Sequence, residues 1–119
     1  MKDNKVFIQH IRDEINYLIK ESKNLTYESF IKNETLKRAF TRSLEIIGEA
    51  TKNISTDFRE RYPGIGWKEL TGLRDKLIHH YFGVWNRVWD VIENLIPKLN
   101  GLIKKILEEA NDNNDNNKR

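Results

Sequence analysis

The side chains best suited to chemistry fall in one stretch, Arg74-Asp75-Lys76-Leu77-Ile78-His79-His80-Tyr81. It places an Arg, a His and a Tyr within about two helical turns. An Arg guanidinium holds a phosphate with a planar fork of donors. A His moves a proton near neutral pH. A Tyr hydroxyl donates, accepts or is modified. Proton transfer beside a held phosphate is the chemistry these three types suggest. Asp75 could orient Arg74 or His79, although neighbouring helical positions rarely meet. His80 is a rival to His79, and spacing alone does not choose between them.

On an ideal helix Tyr81 lies about 20° from Arg74, but His79 lies about 140° from it. An unbroken helix therefore keeps Arg74 and His79 from converging on one small ligand. Either the helix unwinds just after Ile78, so that His79 and Tyr81 swing round, or a second chain supplies groups across a two-fold axis. The same residues also serve plainer ends: a cation at a helix C-terminus, a capping His and a half-buried ring.

The elements that must position this stretch read as helices. Phe7, Ile11, Ile15, Leu18 and Ile19 mark a first helix over roughly 4–22. Asn24-Leu25-Thr26-Tyr27 reads as a connection, with Tyr27, Phe30 and Ile31 packed beneath it. Asn33 or Thr35 can cap a second helix. Its apolar stripe is Leu36, Phe40, Leu44, Ile47, Ala50 and Ile54. Ser55, Thr56 and Asp57 offer caps for a short third helix over 58–61. Tyr62-Pro63-Gly64-Ile65-Gly66 is the clearest break in the chain. Trp67 starts a fourth segment through Leu70, Leu73, Leu77 and Ile78, with Gly83 as its left-handed cap. A last pattern runs from Val84 to Ile106, and Pro97 must kink or split it. The expectation is an all-α, antiparallel four- to five-helix bundle over residues 1–110. Residues 111–119 hold no apolar side chain and are expected to be disordered.

Composition narrows the function classes. Lys and Arg number 21 against 18 Asp and Glu, a net charge of +3, and the pI is about 9.1. That mild, dispersed basic charge suits a local contact with an anion, or a surface assembled from two chains, better than a charge-driven grip. The chain has no cysteine and three histidines, so it offers neither a disulfide nor an evident zinc site. No apolar run reaches the ~18 residues of a membrane span. A soluble, cytoplasmic protein is expected, with no membrane contact. No Gly-rich phosphate loop is present.

Beyond the main stretch, Arg38, Arg42, Glu45 and Glu49 follow spacings of 4, 3 and 4. They form one polar stripe, which a solvated face also explains. The small residues Gly48 and Ala50 beside Glu49 permit close helix approach, so Arg42 and Glu49 read as supporting residues at a dimer face or cleft wall. Trp67, Trp85 and Trp89 sit among apolar positions and read as packing residues rather than RNA-stacking platforms.

Arg74-x-x-x-x-His79-x-Tyr81 resembles the signature of HEPN-domain proteins. More narrowly, the chain resembles the HepT-like toxins encoded beside a small MNT-type nucleotidyltransferase antitoxin. The blocks that carry this are Arg42-Ser43-Leu44-Glu45-Ile46-Ile47-Gly48-Glu49-Ala50, Tyr62-Pro63 before Trp67, and Tyr81-Phe82-Gly83-Val84 followed by Trp89 and Pro97. They cover about residues 5–105. One departure is Gly66, where relatives often carry a proline. The resemblance implies a HEPN-like helical homodimer with the signature segments of both chains lining a cleft. It implies a metal-independent endoribonuclease that uses no cofactor. His79 would move the proton, Arg74 would stabilise the charged phosphoryl group, and Tyr81 would position RNA. Tyr81 would also accept AMP from the partner nucleotidyltransferase, which neutralises the toxin. Asp75, His80, Arg42 and Glu49 would support the site. The alternative is a non-catalytic helical dimer that serves as binding partner and substrate of the nucleotidyltransferase.

Overall fold

The computed structural model describes residues 2–81 and 83–117, with side-chain surroundings for 4–81 and 83–110. Helix α1 spans Lys2–Ser22. Its Ile8, Ile11, Ile15 and Leu18 are at most 1% exposed, because spacings of 3, 4 and 3 hold them on one face. Thr26 caps α2 (Tyr27–Ile31) by accepting from the Ser29 N–H. This short helix replaces part of the expected connection and buries Phe30. Asn33, one of the two expected caps, starts α3 (Glu34–Lys52) by accepting from the Leu36 N–H at 3.0 Å. Phe40, Leu44 and Ile47 of α3 are fully buried. Ser55 caps α4 (Thr56–Arg61).

The expected single helix from Trp67 to Gly83 is two helices. Helix α5 (Trp67–Thr71) ends on Gly72, from which α6 (Leu73–His79) departs. Gly72 lacks the side chain that would favour continuation, and its backbone forms both caps. The second helix ends at His79 rather than at Gly83. Gly83 has φ +74° and instead closes the following turn, where the Val84 N–H donates to the Tyr81 carbonyl at 2.9 Å.

Pro97 acts as expected. The last pattern divides into α7 (Trp85–Asp90), a π-helical turn (Val91–Leu95) and α8 (Ile96–Asn117). Pro97 falls in the first turn of α8, where a missing N–H is tolerated. The wider turn before it closes with an Ile96 N–H bond to the Val91 carbonyl. At the far end the α8 backbone stays helical to Asn117, where composition predicts disorder from 111. Extending a formed helix needs no new nucleus, which lowers the barrier to such turns. Side chains of 111–119, and Phe82 of the signature block, lie outside the described residues.

The described residues form a helical bundle without strands. Helix α1 packs on α3 and α8, while α3 also carries α5 and α6. Ser43 donates to Glu14 Oε1 at 2.8 Å, fixing α3 against α1. Trp67 is 8% exposed, and its indole N–H donates to the Arg59 and Tyr62 carbonyls at 3.0 Å. This holds the 59–66 segment to α5 and so fixes where α6 begins.

Candidate functional site

Helix α6 lies on α3 through Leu73 and Leu77, both buried and one turn apart. The close approach is possible because α3 presents Gly48. A Cβ there would stand 3.3 Å from the Arg74 nitrogen and 3.4 Å from the Leu70 carbonyl oxygen. With backbones this near, Arg74 reaches Glu49 on α3, Nη1 to Oε1 at 3.0 Å. The two side chains are 47% and 46% exposed. The Oε1 atom itself is shielded and accepts no aligned hydrogen bond, so the contact is an ion pair. Such a pair adds little stability at the surface, but it orients the guanidinium.

His79 closes α6 and His80 follows as its cap, both exposed. Helical backbone persists to His79, so the unwinding expected after Ile78 begins about one residue later and frees Tyr81 rather than His79. On a regular helix over Leu73–His79, positions 74 and 79 lie on different flanks, about 140° apart. Tyr81 is where the chain departs. Its N–H and that of His80 both bond to the Lys76 carbonyl, at 2.6 and 2.8 Å. Tyr81 then turns, half-buried, into the wall of a cavity.

That cavity has a volume of about 320 Å3 and is bounded by Arg38, Glu45, Leu77, Tyr81 and Trp85, among others. A neighbouring cavity of about 470 Å3 shares Thr41, Glu45 and Leu77 and adds Ile78, which is 47% exposed. Glu45 is the charged residue common to both. Its carboxylate meets Arg42 only at 3.8 Å, with the Glu45 side chain 27% exposed. Trp85 is half-buried, edge-on to Phe30 and 4.8 Å from the Lys37 ammonium. Lys37 also pairs with Glu34 at 2.7 Å. Their hydrogen bond, followed by the lysine charge, holds the Glu34 carboxyl below its ordinary range.

Of the residues marked from the sequence, the fold joins Arg74 to Glu49 and sets Tyr81 nearby on the same α3–α6 seam. It separates the others. Arg42 turns to Glu45 rather than to α6. Asp75 faces a shallow surface with Lys52, Lys68 and Lys76, away from the cavity. Glu45, Arg38, Thr41 and Trp85 as cavity residues were missed as a group. The signal was the α3 stripe itself, whose 38, 42, 45, 49 spacing puts one edge along α6. Trp67 and Trp89 pack as expected, Trp89 against Tyr27 and Phe30, whereas Trp85, expected only to pack, also lines the cavity. Among the described residues no three His, Cys, Asp or Glu side chains are grouped to hold a metal, and no helix is long and apolar enough to cross a membrane.

Comparison with known proteins places this geometry. Residues 11–106 match the family described as Ribonuclease HepT-like. A "Putative RNase" of Caldanaerobacter subterraneus subsp. tengcongensis is 47% identical over 110 residues, 92% of this chain and 98% of that one. A "Putative RNase" of Methanocaldococcus jannaschii is 43% identical over 116 residues, 97% of this chain and 96% of its own. The "Probable ribonuclease HepT" of Thermococcus cleftensis is 39% identical over 106 residues, 88% of this chain and 96% of that protein. No solved structure matches the chain. The family match runs from within α1 to within α8 and includes the Arg74–Tyr81 segment, and the chain belongs to the HepT-like ribonuclease family.

Proposed function

We propose that this chain is the toxin of a HEPN/MNT toxin–antitoxin pair, an endoribonuclease whose site forms where two copies bring their α6 ends together. The observation that carries the two-chain site is the intact helix through His79. Within one copy, Arg74 and His79 diverge. Across a two-fold axis the Arg74 of one copy can face the His79 of the other. The exposed apolar Ile78 between them suits burial in such a pairing.

The reaction this arrangement serves needs no group outside the chain but water. A ribose 2′-oxygen bonds to the adjacent phosphorus and the bond from phosphorus to the 5′-oxygen breaks. His79 takes the 2′-hydroxyl proton, and solvent water gives a proton to the leaving 5′-oxygen. Arg74, held by Glu49, donates to the phosphoryl oxygens as charge develops on them. The products are a 2′,3′-cyclic phosphate and a 5′-hydroxyl.

Tyr81 is the control point in this reading. The partner nucleotidyltransferase transfers AMP from ATP to its hydroxyl, with pyrophosphate as leaving group. The added negative charge and bulk sit on the cavity wall and repel RNA. Two experiments test the proposal. Purified protein incubated with RNA in chelator should cut it, and Arg74→Ala and His79→Ala should each lower the rate about a hundredfold or more. Intact RNA at high protein concentration rejects the nuclease reading and leaves the non-catalytic alternative. Mass spectrometry after incubation with ATP and the antitoxin should find AMP on Tyr81. A mass gain that survives Tyr81→Phe places the modification elsewhere.

A further inference from the structure

We propose that the cavity beside Tyr81 is a pocket for one unstacked nucleobase of the RNA strand, and that Glu45 makes guanine its preferred occupant. The inference rests on the RNA-cleaving reading above and names the specificity of that site.

Size comes first. At about 320 Å3 the cavity is near the small end of ligand pockets, roughly 300–1,000 Å3. That volume suits a single base. Its walls suit that occupant. Leu77 supplies apolar surface, while Tyr81 and Trp85 supply aromatic surface. Single-stranded RNA is recognised through splayed bases that stack on aromatic side chains and are read along their hydrogen-bonding edges. The polar groups that would read such an edge come from one helix, with Arg38, Thr41 and Glu45 lining the α3 side.

Glu45 decides the base. Its side chain is only 27% exposed, and Arg42 is its nearest cation at 3.8 Å. That distance is too long for a hydrogen bond, so the carboxylate oxygens keep their accepting capacity for a ligand. An ionised carboxylate only accepts. Guanine presents two N–H donors side by side, the ring N1–H and the exocyclic amine, matched to two carboxylate oxygens. Uracil presents one N–H between two carbonyl oxygens, which repel the carboxylate. Adenine and cytosine each present an amine beside an acceptor nitrogen. Arg38 lies seven residues, about 10 Å, along α3 from Glu45. It can therefore meet the phosphate of the same nucleotide while Glu45 reads the base. The pocket also explains why Tyr81 is an effective place to block, since adenosine carried on its hydroxyl would occupy the mouth the base must enter.

The test uses RNA that cannot be cut, with 2′-O-methyl groups replacing the attacking hydroxyls. Nonamers carry one G, A or C in a uridine background, beside an all-uridine control, at one fixed salt concentration. Fluorescence anisotropy should show the wild-type protein binding the G oligomer about tenfold more tightly than the all-uridine one, as expected for one bidentate base contact. In Glu45→Gln, one acceptor oxygen becomes a donor, and the difference should fall below about threefold. The readout is the difference between bases, which a general change in charge or stability does not move. A thermal melt of the variant checks its fold. Equal binding of all four oligomers by the wild type, or a guanine preference that survives Glu45→Gln, overturns the pocket. A guanine preference in a protein that cuts no RNA overturns the nuclease reading alone.

Discussion

Arg74 owes its orientation to Glu49 rather than to the neighbours it has in sequence. A half-exposed ion pair contributes under about 1 kcal/mol, so Glu49→Gln should leave the thermal melt nearly unchanged. Cleavage should nevertheless fall about ten- to a hundredfold, because a guanidinium displaced by an ångström loses much of its effect. Arg74→Lys should cost a similar factor, since an ammonium lacks the planar fork. Rates at saturating RNA, measured beside melting curves, check both. An unchanged rate in Glu49→Gln removes Glu49 from the site. The grouping of Arg74, His79 and Tyr81 was legible because they are close together in the sequence. The pairing with Glu49 was not. Which of four polar residues on α3 meets α6 depends on where the helices cross, and that is set by Gly48, 26 positions before Arg74.

At the scale of elements, the crossing at Gly48 can be tested directly. A valine there would drive its methyl groups into the Arg74 and Leu70 backbone, which cannot rotate away. Gly48→Val should destabilise the fold by about 1–3 kcal/mol and lower cleavage further than stability alone explains, as judged by activity well below the melting temperature. The segment before α5 carries a titration. Burial, then a hydrogen bond with Glu109 of α8, raises the Tyr62 hydroxyl above its ordinary value. The folded state keeps this proton where the unfolded chain has lost it. The associated stability is therefore complete below about pH 10 and declines as pH rises through the folded value. Tyr62→Phe should flatten that alkaline decline in melts taken from pH 8 to 11. Helix starts were legible here because Asn33 and Ser55 have strong cap chemistry, and the effect of Pro97 followed from its missing N–H. The end of α6 at His79 was not, because Gly83 advertises a left-handed residue without saying whether it belongs to the helix or to the turn beyond.

For the whole molecule, the apolar periodicity of α1, α3 and α8 defines a core that local pattern makes visible. Phe40 sits at its centre, fully buried and stacked on Phe30 at 5.4 Å. Phe40→Ala should cost about 3–5 kcal/mol, a loss measurable by denaturant unfolding. Association is a different matter, because it depends on a surface and a symmetry axis that one chain's pattern does not contain. The two-chain reading predicts a particle of twice the 14.2 kDa chain by light scattering. Its most direct test mixes two dead variants. Arg74→Ala keeps His79, and His79→Ala keeps Arg74, so a mixed dimer rebuilds one intact site from the two chains. After co-refolding in equal amounts, the mixture should recover RNA cleavage to about a quarter of the wild-type rate, as random pairing across a two-fold axis requires. A mixture no more active than either variant alone, in conditions where the wild type cuts, would contradict the shared site.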